Sequence, residues 1–310
     1  MKIFRDLSAI LPPVYRKSVA AIGIFDGVHV GHQFILDRVV RRARRLGKKS
    51  LAITFDPHPA VILNYRNAPP MIMSVPHRLR ILEETGLDAC WVIHFTKRVA
   101  RQEAWRFVRD FLSAKLGVSE IWVGKGFRFG RGNLGTIEFL RLLGKRYGFS
   151  IREITPIQLD SQKISSTEIR RLIEKGELVK AEKLLGRPVS ILGTVIHGEN
   201  LGKEIGFPTA NLNPHHEAIP PRGVYTVRAV LDGKRYRGVV NIGIRPTMKI
   251  KKNPKITIEV HLIDFSGNLY GKDIELLFVK KLRGEKFFPS VKALAKQIQK
   301  DIQKTRQILR

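Results

Sequence analysis

Between Ser18 and about Thr155, short apolar runs alternate with longer amphipathic segments, and this alternation limits the fold more than any other feature. A strand that is apolar throughout must be covered on both faces, and intervening helices of 3.6-residue periodicity supply the cover. The pattern predicts βαβ units around a parallel sheet. Strands are expected at Val19–Phe25, Ser50–Phe55, Cys90–Phe95, Glu120–Val123 and Phe149–Ile154. Helices are expected at His32–Leu46, Pro76–Thr85, Arg101–Leu116, Thr136–Tyr147, Ser166–Lys175 and Val179–Leu185.

Gly186-Arg187-Pro188 then reads as a helix stop and linker, which places a domain boundary between residues 1–186 and 187–310. Beyond it, β-branched runs separated by Gly, Asn and Pro predict an antiparallel sheet or small barrel: Val189–His197, Gly223–Val230, Tyr236–Ile242, Ile256–Ile263 and Ile274–Phe278. Lys249–Lys255 reads as a loop. The chain closes with a helix whose positions Val291, Leu294, Ile298, Ile302, Thr305 and Leu309 form one face, with Ser290 placed to cap it. That face is expected to pack on the barrel.

The charge is extreme: 56 Lys and Arg against 27 Asp and Glu, a formal net of +29. Such an excess points first to a polyanion, because cations that neutralise phosphates release counterions. The surplus is spread over both halves, however, and its densest cluster, Arg38, Arg41, Arg42, Arg44 and Arg45, has the spacing of a solvated helix face. One cysteine, Cys90, excludes an intrachain disulfide framework and fits a reducing compartment. The apolar stretch Leu7–Leu11 is too short for a signal-sequence core, and no run reaches the length of a membrane span, so a soluble cytoplasmic protein is expected.

Gly23-Ile24-Phe25-Asp26-Gly27-Val28-His29-Val30-Gly31-His32 sits where the first expected strand hands over to the first helix. Ligands of open parallel sheets bind at strand carboxyl ends, and helix N-termini attract phosphate. Gly27 and Gly31 let the backbone approach a ligand, and His29 and His32 can face one phosphate. A His-x-x-His pair is equally a metal site or a surface feature, but no further ligands recur at zinc spacing. Downstream, Ser165 or Ser166 with Glu168 makes a helix-capping box. The same stripe, Ser165, Ser166 and Thr167 with Arg170 a turn later, also suits a triphosphate.

In the second half, Gly206-Phe207-Pro208-Thr209-Ala210-Asn211 is ordinary loop chemistry, yet the Thr hydroxyl and Asn carbonyl can also supply oxygen ligands to Mg²⁺. Glu259, in Thr257-Ile258-Glu259-Val260-His261, shares a strand face with Thr257 and His261 and reads by default as a polar outward residue.

With Thr54-Phe55-Asp56-Pro57-His58-Pro59 and Val123–Gly130 in the first half, and Arg222–Tyr225, Asn241–Thr247 and Asp264–Gly271 in the second, the chain resembles the bacterial bifunctional riboflavin kinase/FMN adenylyltransferases, or FAD synthetases. The resemblance implies an α/β Rossmann-like nucleotidyltransferase domain followed by a small antiparallel β-barrel kinase domain with a C-terminal helix. It implies that His29 and His32 stabilise the transition state as FMN phosphate attacks the α-phosphorus of ATP. Gly23, Phe25, Asp26, Gly27, Gly31 and Gly124 would line the nucleotide, and Ser165, Ser166, Thr167 and Arg170 would hold the departing pyrophosphate. In the kinase module it implies Glu259 as base toward the riboflavin hydroxyl, Thr209 and Asn211 as Mg²⁺ ligands, and Gly206, Pro208 and Arg245 at the flavin and kinase site.

Two departures from the family pattern are visible: Gly126 where Asp or Asn is usual, and Asn268 where Asp is common. The implied partners are riboflavin, FMN and ATP, with FAD as product, no membrane, and no specific nucleic acid beyond incidental polyanion affinity. An adenylyl- or cytidylyltransferase for another acceptor is opposed by the kinase blocks. A nucleic-acid-binding protein with vestigial motifs is opposed by their intactness.

Overall fold

The computed structural model describes residues 1–5, 12–63, 68–155, 158–159, 162–197, 205–215, 217–244 and 256–310. Arg245, the stretch Leu7–Leu11 and the loop Lys249–Lys255 lie outside the described residues. The chain divides into two compact units, residues 1–70 with 75–166, and residues 71–74 with 167–310.

The first unit is built on β1 (Lys2–Arg5), β2 (Val19–Ile22), β3 (Ser50–Asp56), β4 (Ala89–His94), β5 (Glu120–Gly124) and β6 (Ser150–Ile154). These form one parallel sheet in the order β1-β4-β3-β2-β5-β6. All of β2 and the first five residues of β3 and β4 are buried, as a sheet covered on both faces requires. Its connections include α1 (Val30–Arg45), α2 (Pro59–Leu63), α3 (Val75–Glu84), α4 (Lys97–Ala100), α5 (Ala104–Arg106) and α6 (Ile137–Tyr147). Helix α1 buries Leu36, Val39, Val40 and Ala43 and turns its arginines outward. There Arg41 pairs with Asp37, Arg42 with Glu120, and Arg38 lies over the Phe34 ring.

The expected helix Arg101–Leu116 starts only at Ala104, because Glu103 is extended and its carboxylate accepts from the Trp105 indole. Beyond Arg106 it continues as a π-helical stretch, Phe107–Lys115. Strand β1 has no counterpart among the expected elements. It is a four-residue edge strand that exists by pairing with β4, and pairing leaves no local periodicity.

A short hairpin, β7 (Gln158–Leu159) and β8 (Gln162–Lys163), precedes α7 (Ser166–Glu174) and α8 (Leu178–Leu185). The second unit then closes a barrel from β9 (Ser190–Ile196), β10 (Ala210–Asn213), β11 (Gly223–Leu231), β12 (Lys234–Ile244), β13 (Ile256–Leu262) and β14 (Asp273–Arg283). Its strands run antiparallel in the order β10-β13-β12-β11-β14-β9, and β9 pairs back onto β10. Along β13, Ile258, Val260 and Leu262 are buried while Thr257, Glu259 and His261 are half-buried, the period-two alternation of a barrel wall.

The terminal helix α9 (Val291–Ile308) is capped by Ser290, whose hydroxyl accepts from the Ala293 amide. It lies on β12 and β11 as expected. Its anchors are more polar than the sequence suggests: Thr305 bonds Thr226, and buried Asp301 pairs with Arg283 at 2.9 Å. Val291 is 59% exposed and takes no part in the packing.

Cys90 is fully buried on β4, and burial pushes its thiol up to about 12. Because the thiolate is the reactive form, the group stays protonated and inert across neutral pH. Iodoacetamide at pH 8 should leave Cys90 unlabelled in the native protein and alkylate it fully in denaturant, as intact-mass measurement would show.

Candidate functional site

In the first unit, chain connections run from β2 to β3 on one side and from β5 to β6 on the other, so β2 and β5 flank the topological switch point. Open α/β sheets bind ligands in the crevice there, beyond the strand carboxyl ends. The turn Gly23–His29 leaves β2, and the turn beginning at Gly124 leaves β5, so both lie at this crevice.

The first turn is held by its carbonyls. Ile24 O accepts from Thr54 Oγ1 at 2.9 Å and from Arg78 Nη1 at 2.6 Å. Phe25 O accepts from the Val28 amide, Asp26 O from Ser166 Oγ, and Val28 O from Gln33 Nε2. Held this way, the turn keeps Phe25 at φ +53° and Val28 at φ +35°, conformations that side chains other than glycine rarely adopt.

His29 is the N-cap of α1, and its Nδ1 accepts from the His32 amide at 3.3 Å. A neutral His29 then carries its proton on Nε2. The two imidazoles stack, with centroids 3.6 Å apart and planes 13° off parallel. Gly31 has a second reason to be glycine: a Cβ there would sit 3.2 Å from His29 Nδ1. Gly23 likewise leaves room for the buried Phe25 ring.

Ser166 joins this turn from 140 residues away, its hydroxyl donating to Asp26 O at 2.9 Å. Ser165 is half-buried just before it, while Thr167 and Arg170 follow along α7. Thr167 and Arg170 fall in the second compact unit. Glu168 forms an ion pair with Arg171. Gly126 stands at φ +77°, and a Cβ added to it would meet nothing within 4 Å. Asp and Asn tolerate that left-handed conformation best among side-chain-bearing residues, so glycine preserves the turn and removes only the side chain.

In the second unit, strand register assembles the other set. Asn211 on β10 and Asn241 on β12 are both direct cross-strand partners of Glu259 on β13. Thr209 immediately precedes β10. His261, two residues beyond Glu259 on the same face, donates from Nδ1 to the Pro208 carbonyl at 2.8 Å and meets the Phe207 ring edge-on. It thereby ties the loop carrying Thr209 to the strand carrying Glu259. Gly206 turns that loop at φ +84°.

A cavity of about 270 Å³ opens between this face and α9. Thr209, Asn241, Glu259 and His261 line its strand side and Leu294, Ile298 and Asp301 its helix side, with Arg283, Glu285 and Lys286 adding charge. Two residues counted as packing positions from the sequence therefore line a cavity instead. For Mg²⁺, the donors are a hydroxyl, a carboxamide oxygen and a carboxylate. Such an all-oxygen set fits a hard cation that keeps several waters; Thr209 lines the cavity, and Asn211 stands beside Glu259 across the strands.

Sequence reasoning missed Arg78, Asn241 and the positioning bond of His261. Asn241 was legible only as part of a motif block, and Arg78 carried no local signal. Burial pulls the Arg78 guanidinium below its ordinary value, and the neighbouring Asp26 charge opposes that shift.

Comparison with known proteins agrees with both halves. Residues 11–168 match the family model described as FAD synthetase, and residues 185–309 the one described as riboflavin kinase. Bifunctional riboflavin kinase/FMN adenylyltransferases are 37% identical in Pseudomonas fluorescens and 36% in Escherichia coli K12, each over 97% of this chain and 96% of the relative. A crystal structure of a macrolide-efflux protein from Streptococcus pneumoniae shares the fold at TM-score 0.82 and 28% identity, covering 99% of each chain. Among the described residues here, no helix is long and apolar enough to cross a membrane. With a switch-point histidine pair in one unit, a carboxylate-lined barrel face in the other and near full-length relatives at this identity, the chain belongs to the bifunctional riboflavin kinase/FMN adenylyltransferase family.

Proposed function

We propose that the two reactions run at two separate sites, one within residues 1–186 and the other within residues 187–310. The support is that motif residues distant in sequence meet within one unit: Ser166 with Asp26 in the first, Asn211 with Glu259 in the second.

At the first site, an FMN phosphate oxygen attacks the α-phosphorus of ATP, the bond to the β-phosphate oxygen breaks, and pyrophosphate leaves. The work is positioning and charge stabilisation. His29 and His32 present ring N–H groups to the reacting phosphate from the N-terminus of α1, where the helix dipole adds to them. Gly23, Phe25, Asp26, Gly27, Gly31 and Gly124 shape the nucleotide pocket. Ser165, Thr167 and Arg170 hold the pyrophosphate. Ser166, whose hydroxyl proton goes to the Asp26 carbonyl, serves that end of the site by fixing the turn.

At the second site, Glu259 takes the proton from the ribityl 5′-hydroxyl of riboflavin as its oxygen attacks the γ-phosphorus of ATP, and ADP leaves. The flavin occupies the cavity beneath α9, with Gly206 and Pro208 at the site; Arg245, outside the described residues, is assigned to it by the family resemblance alone. Thr209 and Asn211 would hold Mg²⁺, which when bound would neutralise phosphate charge. We place the enzyme in the cytoplasm and assign it small-molecule substrates only. Its affinity for polyanions is then incidental to turnover.

Replacing both His29 and His32 by Ala should cut FAD formation by roughly 10²–10⁴-fold while FMN still accumulates from riboflavin. Glu259→Ala should stop FMN formation yet leave conversion of supplied FMN to FAD intact. Chromatographic separation of FMN and FAD over time reads both, and loss of both activities from either change overturns the two-site reading. Residues 187–310 contain every strand of the barrel and α9, and expressed alone they should phosphorylate riboflavin. An inactive fragment would move the boundary toward Thr167, where the compact units part.

A further inference from the structure

Of the chain's lysines and arginines, Arg78 alone is buried among the described residues, with no exposure at all. A guanidinium withdrawn from water is costly unless its donors are matched. Here Nη1 donates to Ile24 O at 2.6 Å and Nη2 to Phe55 O at 2.8 Å, while the buried Nε is left without a partner. These carbonyls belong to different segments, the turn after β2 and the end of β3, and the planar fork joins them.

The Ile24 carbonyl matters because of the residues just beyond it. In a trans peptide the carbonyl and the next N–H point in opposite directions, so fixing Ile24 O fixes the plane from which Phe25 departs. The two non-glycine residues with positive φ, Phe25 and Val28, and the cap His29 come next in the chain. Strained backbone of this kind persists only where its surroundings over-determine it, and it concentrates at functional sites. Thr54 Oγ1 supplies a second, neutral donor to the same oxygen.

We propose that Arg78 is a positioning residue for adenylyl transfer, locking the strained turn that presents His29 and the α1 N-terminus to phosphate. It touches neither substrate and acts through the backbone of Ile24 and Phe55. The inference rests on the first site being the adenylyl-transfer site.

The test uses the full chain. Arg78→Met keeps the bulk and removes both bonds; kcat for FAD formation at saturating ATP and FMN should fall on the order of 10²-fold, since small misplacements carry that cost. Riboflavin phosphorylation by the same sample should hold within about twofold, the second site being separate. Arg78→Lys, which returns a charged donor, should recover part of the loss. A merely structural Arg78 would lower the thermal midpoint while leaving kcat per folded molecule unchanged, and that result overturns the proposal.

If Arg78→Met does not fold, Thr54→Val decides. Loss of the second donor on Ile24 O should lower the same kcat by about three- to tenfold, the worth of one neutral hydrogen bond. An unaltered kcat in Thr54→Val would then overturn the proposal. Wild-type protein that forms FMN but no FAD would remove the adenylyl-transfer reading itself, and Arg78 with it. Wild-type activity matched by both variants would remove Arg78 alone.

Discussion

The N-terminal unit depends on how the carbonyls of one turn are satisfied. Between β2 and α1 the backbone must leave a fully buried strand, pass three residues with positive φ, two of them not glycine, and deliver a helix N-terminus to the crevice. Each carbonyl from Ile24 to Asp26, and that of Val28, has a donor: Thr54 and Arg78, the Val28 amide, Ser166 and Gln33 in turn. With its acceptors occupied, the turn has no reason to rotate its amides inward. Buried backbone groups left unpaired would cost more than the strain does. Three other chain segments therefore converge on this turn, from β3, α3 and the start of α7.

The C-terminal unit solves a different problem. A closed barrel has no edges, and its interior is filled by alternate side chains, so any chemistry must be done by the outward-pointing residues. Along β13 those are Thr257, Glu259 and His261, which would be plain surface residues if solvent covered them. The helix α9 changes their environment. Its polar anchors, Thr305 on Thr226 and Asp301 on Arg283, hold it close, while Leu294 and Ile298 face open volume. Glu259 thus lines one cavity with that helix and keeps two asparagines beside it across the strands. A carboxylate partly removed from water, yet supplied with polar neighbours, is the setting that supports the proposal of Glu259 as base.

The net charge of +29 takes on a local meaning in this setting. In the arginine-rich stretch of α1, three of the side chains have named partners, and Arg42 shares Glu120 with Trp122 and Arg152. The exposed Arg41–Asp37 pair contributes little stability, whereas Glu120 is buried and its carboxylate is shared among three donors. Among the described residues, the one basic side chain withdrawn from solvent is Arg78, and it is bound to neutral carbonyls, not to a carboxylate. The surplus cations otherwise surround the chain with a positive field, which favours the encounter with anionic substrates.

Periodicity and turn chemistry made most of the fold legible in the residues themselves. Apolar strands and 3.6-period helices marked the parallel sheet, β-branched runs marked five of the six barrel strands, and Ser290 marked the start of α9. The histidine pair and its glycines were readable because a helix N-terminus and a strand end are local events. Other features depend on long-range pairing: β1 exists through β4, Asn241 joins Glu259 through register, and Ser166 turns from a helix-cap candidate into the fastener of a distant loop. Arg78 is the sharpest case, since in sequence it is one cation among 56. Its burial and its two carbonyl partners come from chain segments that only the folded sheet brings together, and hydrogen bonds between such segments leave no trace in local composition.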